Sequence, residues 1–313
     1  MVRVGLISTP LRDGNSTRGV GEYTRRLSST IKYQDGDVDI VHYPFFDLFR
    51  HTLPIIKNTK TVVTIHDVIP LEYPEIYKPG IKGWINLQLQ KLALSGVERV
   101  ITDSYASVKA IKKHLGVPDS KINLVYLAAG DDFKPKKVTK KYDLPKKFVA
   151  YLGDINWNKN VHGLIKACNS IRVPLVMIGR QAKDLEQMNL DHPELQHLKN
   201  LDLSNVIRLG YVSDEELVDI LNLSTAFAQA SFAEGSALNV LKAVACGKPV
   251  ACSDIECFRE HLDDTAFYFN PHSTESIATA LKNSLTSKII YPKSKFTWKR
   301  TTSETVKVYE SIS

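Results

Sequence analysis

The sequence contains little cysteine and no long hydrophobic run. Its 313 residues include four cysteines, none in a Cys-x-x-Cys pair: Cys168, Cys246, Cys252 and Cys257. We therefore expect buried thiols, with neither a disulfide nor a metal site. No window approaches the roughly 20 uncharged apolar residues that span a bilayer, and residues 1–7 predict a short strand instead of a signal peptide. These absences together predict a soluble, cytoplasmic protein.

Acidic residues are fewer than basic ones, and the formal net charge is +7. Seven of the lysines lie between residues 134 and 147, a segment that also holds Pro135 and Pro145. This composition is typical of a solvated linker. The segment lacks the alternation of aromatic and basic residues that stacking on nucleic-acid bases requires. We therefore expect no nucleic-acid partner.

The chain is long enough for two domains. Its 43% hydrophobic content can fill two cores of roughly 150 residues each. Strand-like and helix-like segments alternate before the lysine-rich segment and again after it, which predicts two α/β units with parallel sheets. We place the domains at residues 1–140 and 141–292, followed by an amphipathic helix in residues 293–313. Ligands of such folds bind at the carboxyl ends of the strands, so we expect a cleft between the domains.

The same patterns predict the individual elements. We predict strands at residues 2–7, 38–42, 61–65, 100–102, 122–126, 148–152, 175–178, 206–209, 226–229 and 250–253. We predict helices at residues 21–31, 85–94, 107–115, 161–170, 214–223 and 273–284, besides the terminal helix and one that follows Ala233.

Residues 233–250 combine a carboxylate, small residues, a helical run, a glycine and a strand. Small residues at a helix start allow backbone N–H groups to approach a phosphate, and the helix dipole adds attraction. Glu234, just before that start, can accept hydrogen bonds from sugar hydroxyls. Gly247 is placed to end the helix in the left-handed conformation, and Pro249 prevents its continuation. The segment is therefore typical of a site for a sugar phosphate.

This segment resembles the donor-site signature of retaining glycosyltransferases of family 4, also called glycosyl transferases group 1. That family has two glutamates eight positions apart, one for the sugar and one for the ribose. Glu234 matches the first, whereas Lys242 stands at the second. Residues 104–107, 121–126, 153–160 and 210–214 also resemble family segments, in the same order. The resemblance implies a GT-B-like fold of two Rossmann-like parallel-sheet domains facing a central cleft. It also implies a terminal helix that crosses back to the first domain, although a helix that only caps the second domain is the alternative.

In the first domain the resemblance points to residues after two predicted strands. His66 matches a His-Asp-x-x-Pro loop whose histidine lines the reaction centre; the alternative is a structural histidine held by Asp67. His42, at another strand end, is a weaker candidate. Gly19 and Gly21 resemble the loop that touches the donor, and the alternative is a tight loop that uses glycine for positive φ.

In the second domain Lys159 can offer a compact cation to a diphosphate leaving group. The family often has an arginine just before this lysine, where this chain has Asn158. Arg180 is either a substitute for that cation or a surface residue. Lys242 is either a helix-face lysine or a cation that selects a donor with extra negative charge.

These motifs give two sets of site residues. The catalytic candidates are His66, Lys159 and Glu234. The donor-binding candidates are Gly19, Gly21, Gly153, Asn158, Lys159, Arg180, Tyr211, Val212, Glu234, Gly235, Ser236, Ala237, Leu238 and Lys242. In the mechanism that the resemblance implies, Lys159 and the backbone at Ser236–Leu238 neutralise the phosphate and a donor phosphate oxygen takes the acceptor's proton. No aspartate-x-aspartate metal site is then needed, so we expect neither a metal nor a cofactor.

We therefore expect a retaining transferase that moves a hexose from a nucleotide-diphosphate sugar to an acceptor. The acceptor class stays open among sugars, lipid-linked molecules and proteins. Because Lys242 and Asn158 depart from the family motif, a noncatalytic nucleotide-sugar-binding homologue is an alternative. A nucleotide-sugar epimerase or hydrolase on the same fold is another, although it would need catalytic carboxylates that are not visible near these motifs.

Residues 77–94 carry apolar side chains at helical spacing, with lysines nearby. The positions are Ile81, Trp84, Ile85, Gln88 and Leu92, beside Lys78, Lys82 and Lys91. This pattern fits a helix on a membrane that carries a lipid acceptor. It also fits a helix packed in the core, which we favour.

Overall fold

The structure is a computed structural model that describes residues 2–34, 36–289, 291 and 294–313. The chain divides into two compact units. Unit 1 comprises Met1–Ala128 and Phe296–Ser313, and unit 2 comprises Ala129–Lys295. The predicted domain boundary between residues 292 and 293 lies outside the described residues, and the predicted cleft stays a prediction.

Strands and helices alternate along both units. The strands are β1 (Val4–Leu6), β2 (Ile40–Tyr43), β3 (Lys60–Thr64), β4 (Arg99–Thr102), β5 (Ile122–Leu124), β6 (Val149–Leu152), β7 (Leu175–Ile178), β8 (Val206–Gly210), β9 (Ala226–Gln229), β10 (Val250–Ser253) and β11 (Phe267–Phe269). The α-helices are α1 (Gly19–Thr30), α2 (Ile69–Glu72), α3 (Gly80–Ser95), α4 (Tyr105–Leu115), α5 (Val161–Ser170), α6 (Arg180–Lys183), α7 (Asp214–Leu223), α8 (Leu238–Ala245), α9 (Glu256–Leu262), α10 (Thr274–Thr286) and α11 (Trp298–Glu310). The predicted α/β organisation is confirmed, while β11 and the short helices α2, α6 and α9 were not predicted.

Unit 1 contains a five-stranded sheet in the order β1-β2-β3-β4-β5, with every pair parallel. Neighbouring residues of a strand point to opposite faces, so each strand feeds two cores. Val63 packs with Leu87 and Ile111 on one face. Val62 packs with Val308, a residue of α11, on the other.

The terminal helix α11 belongs to unit 1. Thr297 caps its start by accepting from Arg300 N–H at 3.2 Å. Thr301 Oγ1 then donates to Tyr126 O at 2.7 Å, and Tyr309 is buried in the same apolar cluster as Val62. The helix thus completes one face of the first sheet.

Unit 2 contains a six-stranded parallel sheet in the order β11-β10-β9-β6-β7-β8. Helix α8 ends as predicted, because Gly247 takes φ +70° and its N–H donates to Val244 O at 2.8 Å. Lys248 N–H donates to Ala243 O at 3.0 Å, which completes a Schellman motif. All four cysteines are free and buried, as predicted.

The seven lysines of the lysine-rich segment are exposed, as expected of a solvated segment. The segment is not a linker, however, because it belongs to unit 2, where two of its lysines pair with the acidic face of α7. Lys136 Nζ lies 2.5 Å from Asp219 Oδ1, and Lys140 Nζ lies 3.2 Å from Glu216 Oε1.

In the ranges described above, no helix is both long and apolar enough to cross a bilayer.

Candidate active site

Two neighbouring strands of unit 2 bring the predicted cation and carboxylate together. Strands β6 and β9 pair in parallel, so their carboxyl ends meet at one edge of the sheet. Lys159 lies in a short 3-10 turn after β6, and Glu234 lies in the loop after β9. Lys159 Nζ is 2.7 Å from Glu234 Oε2, and the side chains are only 20% and 10% exposed. A carboxylate and an ammonium are therefore fixed side by side at the strand ends.

The Glu234 carboxylate is oriented by two further donors that the motif analysis did not identify. Ser231 Oγ donates to Glu234 Oε1 at 2.6 Å, and Gln229 Nε2 donates to the same oxygen at 3.1 Å. Both oxygens thus accept charge-assisted hydrogen bonds, which fix the plane of the carboxylate. Gln229 was not identified as a donor from the sequence, because it ends a strand that is otherwise apolar.

Asn158 joins the two loops that carry the ion pair. Its Nδ2 donates to Ala233 O at 3.2 Å, and its carbonyl accepts from Phe232 N–H at 2.7 Å. Asn158, which stands at the position of the family's arginine, therefore has a structural role in this chain.

Asn160 has a structural role as well. It takes φ +47°, caps α5 by accepting from Gly163 N–H, and donates from Nδ2 to Pro271 O at 2.8 Å.

The start of α8 lies close in sequence to Glu234 and has an unusual cap. Its N-cap is Ala237, which offers no side-chain acceptor, whereas Ser213 and Glu216 form a full capping box on α7. The first N–H groups of a helix need acceptors from outside the helix. Ser236 Oγ is buried and has no hydrogen-bond partner among the described residues. This helix start can therefore receive an anion.

Glycines allow two strand ends to approach each other beside this site. Gly153 takes φ +144° and Gly179 takes φ +153°. A Cβ on Gly179 would lie 2.3 Å from Gly153 O, so no side chain fits there. Asn239, in the first turn of α8, donates from Nδ2 to Leu152 O at 2.9 Å. Gly179 and Asn239 were not identified from the sequence.

A buried tyrosine lies beneath the ion pair. Tyr151 in β6 is fully buried, and its hydroxyl donates to Asp154 O. Burial raises the pKa of Tyr151 well above its usual value, and the Glu234 carboxylate raises it further. Tyr151 was also not identified from the sequence, since it lies in a strand that is otherwise apolar.

The remaining donor-binding candidates of unit 2 have different environments. Lys242 is buried, and its ammonium lies 5.3 Å from the centroid of the Phe133 ring. This contact favours the interpretation of Lys242 as a helix-face lysine. Arg180 is exposed at the start of α6, and Tyr211 is exposed after β8. Gly235 and Leu238 are buried, and Val212 is half-buried.

In unit 1, His66 is held between two acceptors. Its Nδ1 lies 2.5 Å from Asp103 Oδ2, and its Nε2 lies 3.2 Å from Pro44 O. A carbonyl can only accept, so Nε2 carries a proton. Burial acts to lower the pKa of His66, but the Asp103 carboxylate and its hydrogen bond outweigh burial and the pKa is raised. Both ring nitrogens of His66 therefore lie against protein oxygen atoms.

The partner of His66 differs from the one we supposed. The hydrogen bond runs to Asp103, which follows β4, whereas Asp67 Oδ1 accepts from Ile69 N–H at 3.1 Å. Strands β3 and β4 are parallel neighbours, so the residues after them meet at one sheet edge.

His42 is part of a buried chain of hydroxyl groups. Its Nδ1 lies 2.7 Å from the Tyr309 hydroxyl and its Nε2 lies 2.8 Å from Thr64 Oγ1. Tyr33 and Tyr23 extend the chain at its two ends. Burial lowers the pKa of His42 to about 3, so this imidazole is neutral and structural.

The glycines at the start of α1 have separate roles. Neither Gly19 nor Gly21 takes a positive φ, so the tight-loop alternative is wrong. A Cβ on Gly21 would lie 2.4 Å from Asn15 O, whereas a Cβ on Gly19 would meet no atom within 4 Å in the part of the chain that is described. Gly21 is therefore needed for packing against its own loop, and Gly19 borders open space.

Two families of known proteins match the chain. Residues 132–297, a little more than half of it, match the family model described as glycosyl transferases group 1. Residues 2–129 match the model described as glycosyltransferase family 4.

Several curated relatives are bacterial mannosyltransferases. O-antigen chain mannosyltransferase B of Escherichia coli is 26% identical over 81% of this chain and 71% of its own length. O-antigen chain mannosyltransferase RfbU of Salmonella typhimurium is 30% identical over 75% of this chain. The chain spans 63% of the length of RfbU.

Solved glycosyltransferase structures share the fold. Sucrose-phosphate synthase from Thermosynechococcus elongatus has a TM-score of 0.67 at 16% identity, covering 97% of this chain and 82% of its own. Anabaena HepE in complex with UDP-glucose has a TM-score of 0.60 at 16% identity, covering 88% of this chain and 78% of its own. The two α/β units with parallel sheets are thus those of the GT-B fold, as predicted. The chain therefore belongs to the glycosyl transferases group 1, the family of enzymes that its sequence motifs predict.

Proposed function

We propose that this protein moves a hexose, specifically mannose, from a nucleotide-diphosphate sugar to an acceptor, with retention of configuration and without a metal. The observation that carries the proposal is the Lys159–Glu234 pair at 2.7 Å, fixed in the loops of two neighbouring strand ends. The names of the relatives support mannose. A neighbour in complex with UDP-glucose supports a nucleotide-sugar donor.

Glycosyl transfer requires stabilisation of the negative charge that develops on the departing diphosphate. In our proposal the Lys159 ammonium and the N–H groups at Ser236–Leu238 meet those oxygens. Ala237 supplies no competing acceptor at this helix start, so an anionic ligand completes the cap. Glu234 accepts hydrogen bonds from sugar hydroxyls, and Ser231 keeps its carboxylate oriented.

The proposed reaction needs no nucleophile from the protein, because one bond to the anomeric carbon breaks and one forms. The bond from the anomeric carbon to the diphosphate oxygen breaks, and the acceptor oxygen bonds to the same face of the sugar. The acceptor's proton moves to a phosphate oxygen of the leaving group. His66 stays a proposed catalytic residue, and a hydrogen bond from its Nε2 to the sugar would replace the present bond to Pro44 O.

A donor panel tests the proposal directly. Purified protein is incubated with UDP-, GDP- and ADP-linked mannose and glucose, together with simple mannosides, lipid-linked sugars and peptides as acceptors. We expect transfer of mannose from one donor, an unchanged anomeric configuration by NMR, and activity that persists in EDTA. An epimer, free sugar, or donor binding without turnover would each contradict the proposal in a different way.

A matched pair of lysine variants tests the site. Lys159→Ala should lower turnover by about tenfold or more, on the scale of one lost transition-state contact. Lys282→Ala removes an exposed lysine on α10 and should leave turnover unchanged. Circular dichroism checks that both variants fold. Equal turnover in the two variants would remove Lys159 from the mechanism.

A further inference from the structure

Helix α3 is apolar on two opposite sides, and unit 1 covers only one of them. Gly83, Leu87, Gln90, Ala93 and Leu94 are buried, and Leu87 and Leu94 belong to the core beneath the sheet. This is the side that the fold requires. The residues on the opposite side are exposed, so our prediction that they pack in the core is wrong.

The outer side of α3 presents large apolar residues to solvent. Ile81 is 84% exposed and Trp84 is 57% exposed, and Ile85 and Leu92 are exposed as well. At 100° per residue these four positions form one stripe along the helix. We call this stripe the α3 outer face. Large apolar residues clustered on one surface are typical of an interaction site.

A neighbouring loop also exposes apolar residues. Ile55 and Ile56 are exposed in the segment before β3. The next residue, Lys57, donates from Nζ to Pro54 O at 2.7 Å and to Ala93 O. The Lys57 side chain thus holds this loop against the carboxyl-terminal end of α3.

The charged residues within residues 77–97 all have one sign. Residues 77–97 contain Lys78, Lys82 and Lys91 and no aspartate or glutamate. The helical angle places Lys82 on one flank of the stripe and Lys91 on the other. Basic residues that flank an apolar stripe with a tryptophan are typical of a helix that lies in a membrane interface.

We propose that the α3 outer face binds an anionic lipid bilayer. Ile81, Trp84, Ile85 and Leu92 enter the boundary between headgroups and acyl chains, and the three lysines contact anionic headgroups. A second copy of this chain is a poorer occupant, because it would bring the same lysines together. The surface lies in unit 1 and the Lys159–Glu234 pair lies in unit 2, so membrane binding and glycosyl transfer can fail separately.

Vesicle flotation tests the proposal. The full chain is mixed with phosphatidylcholine vesicles that contain either no anionic lipid or about a third phosphatidylglycerol. We expect flotation with the anionic vesicles and little with the neutral ones, because each lysine near an anionic surface adds to binding. Trp84→Gln combined with Ile81→Gln should lower the partition coefficient by about tenfold or more. Lys282→Gln, an exposed lysine in unit 2, should leave it unchanged.

Trp84 supplies a second readout. Bromine-labelled acyl chains quench tryptophan at short range, so they should quench the fluorescence of the wild type and not that of Trp84→Phe. Absence of flotation with anionic vesicles would overturn the proposal. Self-association that Trp84→Gln abolishes, without vesicle binding, would assign the surface to a second copy and would also overturn it.

Discussion

The two units each place a hydrogen-bonded pair of titratable side chains at the carboxyl ends of neighbouring parallel strands, yet the pairs differ in what surrounds them. In unit 1, His66 and Asp103 follow β3 and β4, and both nitrogens of the imidazole face protein acceptors. In unit 2, Lys159 and Glu234 follow β6 and β9, next to a helix start that has no side-chain cap.

The difference in surroundings shows that the same arrangement of parallel strands can place two side-chain pairs in different roles. The Asp103 side chain is 1% exposed and the His66 side chain is 15% exposed, so only the carboxylate of the unit 1 pair is enclosed by protein. The Glu234 side chain is 10% exposed and belongs to a loop that leads into α8. We therefore expect both members of the unit 2 pair to contact a ligand, whereas in unit 1 we expect Asp103 only to orient His66.

The largest effect is expected at Glu234. Glu234→Ala removes the carboxylate from the proposed sugar site and should lower kcat by about 10²–10³-fold, as the loss of a preorganised contact does. The measurement is initial rate at saturating donor. Asp254→Ala is the matched control, because Asp254 pairs with Arg259 at 2.7 Å on the surface and exposed pairs contribute little. Similar rates for both variants would show that the pair of unit 2 is structural.

A smaller effect, on stability, is expected at Asp103. Asp103→Asn keeps an acceptor for His66 but removes the charge, and should cost about 2 kcal/mol of unfolding free energy. Burial acts to lower the pKa of His66, but Asp103 raises it overall. A histidine whose folded pKa is raised stabilises the fold below pH about 6.5. That stabilisation disappears as pH rises through the folded pKa.

Urea unfolding at several pH values measures this linkage. The wild type should lose stability relative to Asp103→Asn as pH rises from about 6.5, because only the wild type retains the raised pKa. NMR of the imidazole protons gives the pKa of His66 directly. If the difference between the two proteins does not change with pH, the His66 imidazole is not the titrating group.

The smallest effect is expected at Ser231. Ser231→Ala removes one donor to Glu234 Oε1 and leaves Lys159 and Gln229 in place. We expect kcat/KM to fall by about tenfold, equivalent to one hydrogen bond to a charged group. Ser273→Ala, which removes the N-cap of α10, is the control and should lower stability by about 1 kcal/mol with unchanged kcat/KM. An unchanged kcat/KM in Ser231→Ala would mean that Lys159 and Gln229 are sufficient to orient the carboxylate.

Local sequence patterns predicted most of this fold. The strand and helix periods located ten of the strands to within a few residues, and Gly247 takes the predicted left-handed conformation. The short strand β11 was not predicted, because its three residues Phe267–Phe269 are fewer than a period-2 pattern needs.

The pairing of site residues could not be predicted, because it depends on strand order. Lys159 and Glu234 are 75 positions apart, and they meet only because β9 inserts beside β6. His66 and Asp103 are likewise 37 positions apart. Local periodicity carries no information about which strands become neighbours, so the sequence predicted the residues of unit 2 but not their contact.

The sequence alone also could not predict which side of α3 is exposed. A helix with apolar residues on all sides is normally buried, and α3 has such residues on opposite sides. Only the packing of unit 1 shows which side meets the core. Gly179 was missed for a related reason, since its requirement comes from the Gly153 carbonyl of another strand end.

The return of α11 to unit 1 has a consequence for biosynthesis. Tyr309 reaches His42 across 267 positions of sequence, and Lys60 Nζ donates to Ile312 O across 252 positions. During translation, residues 1–128 leave the ribosome long before these partners exist. Contacts of such long range carry a high loop-closure cost and form late. The segment that is synthesised first therefore reaches its native state last, because one face of its sheet stays uncovered until α11 has been synthesised.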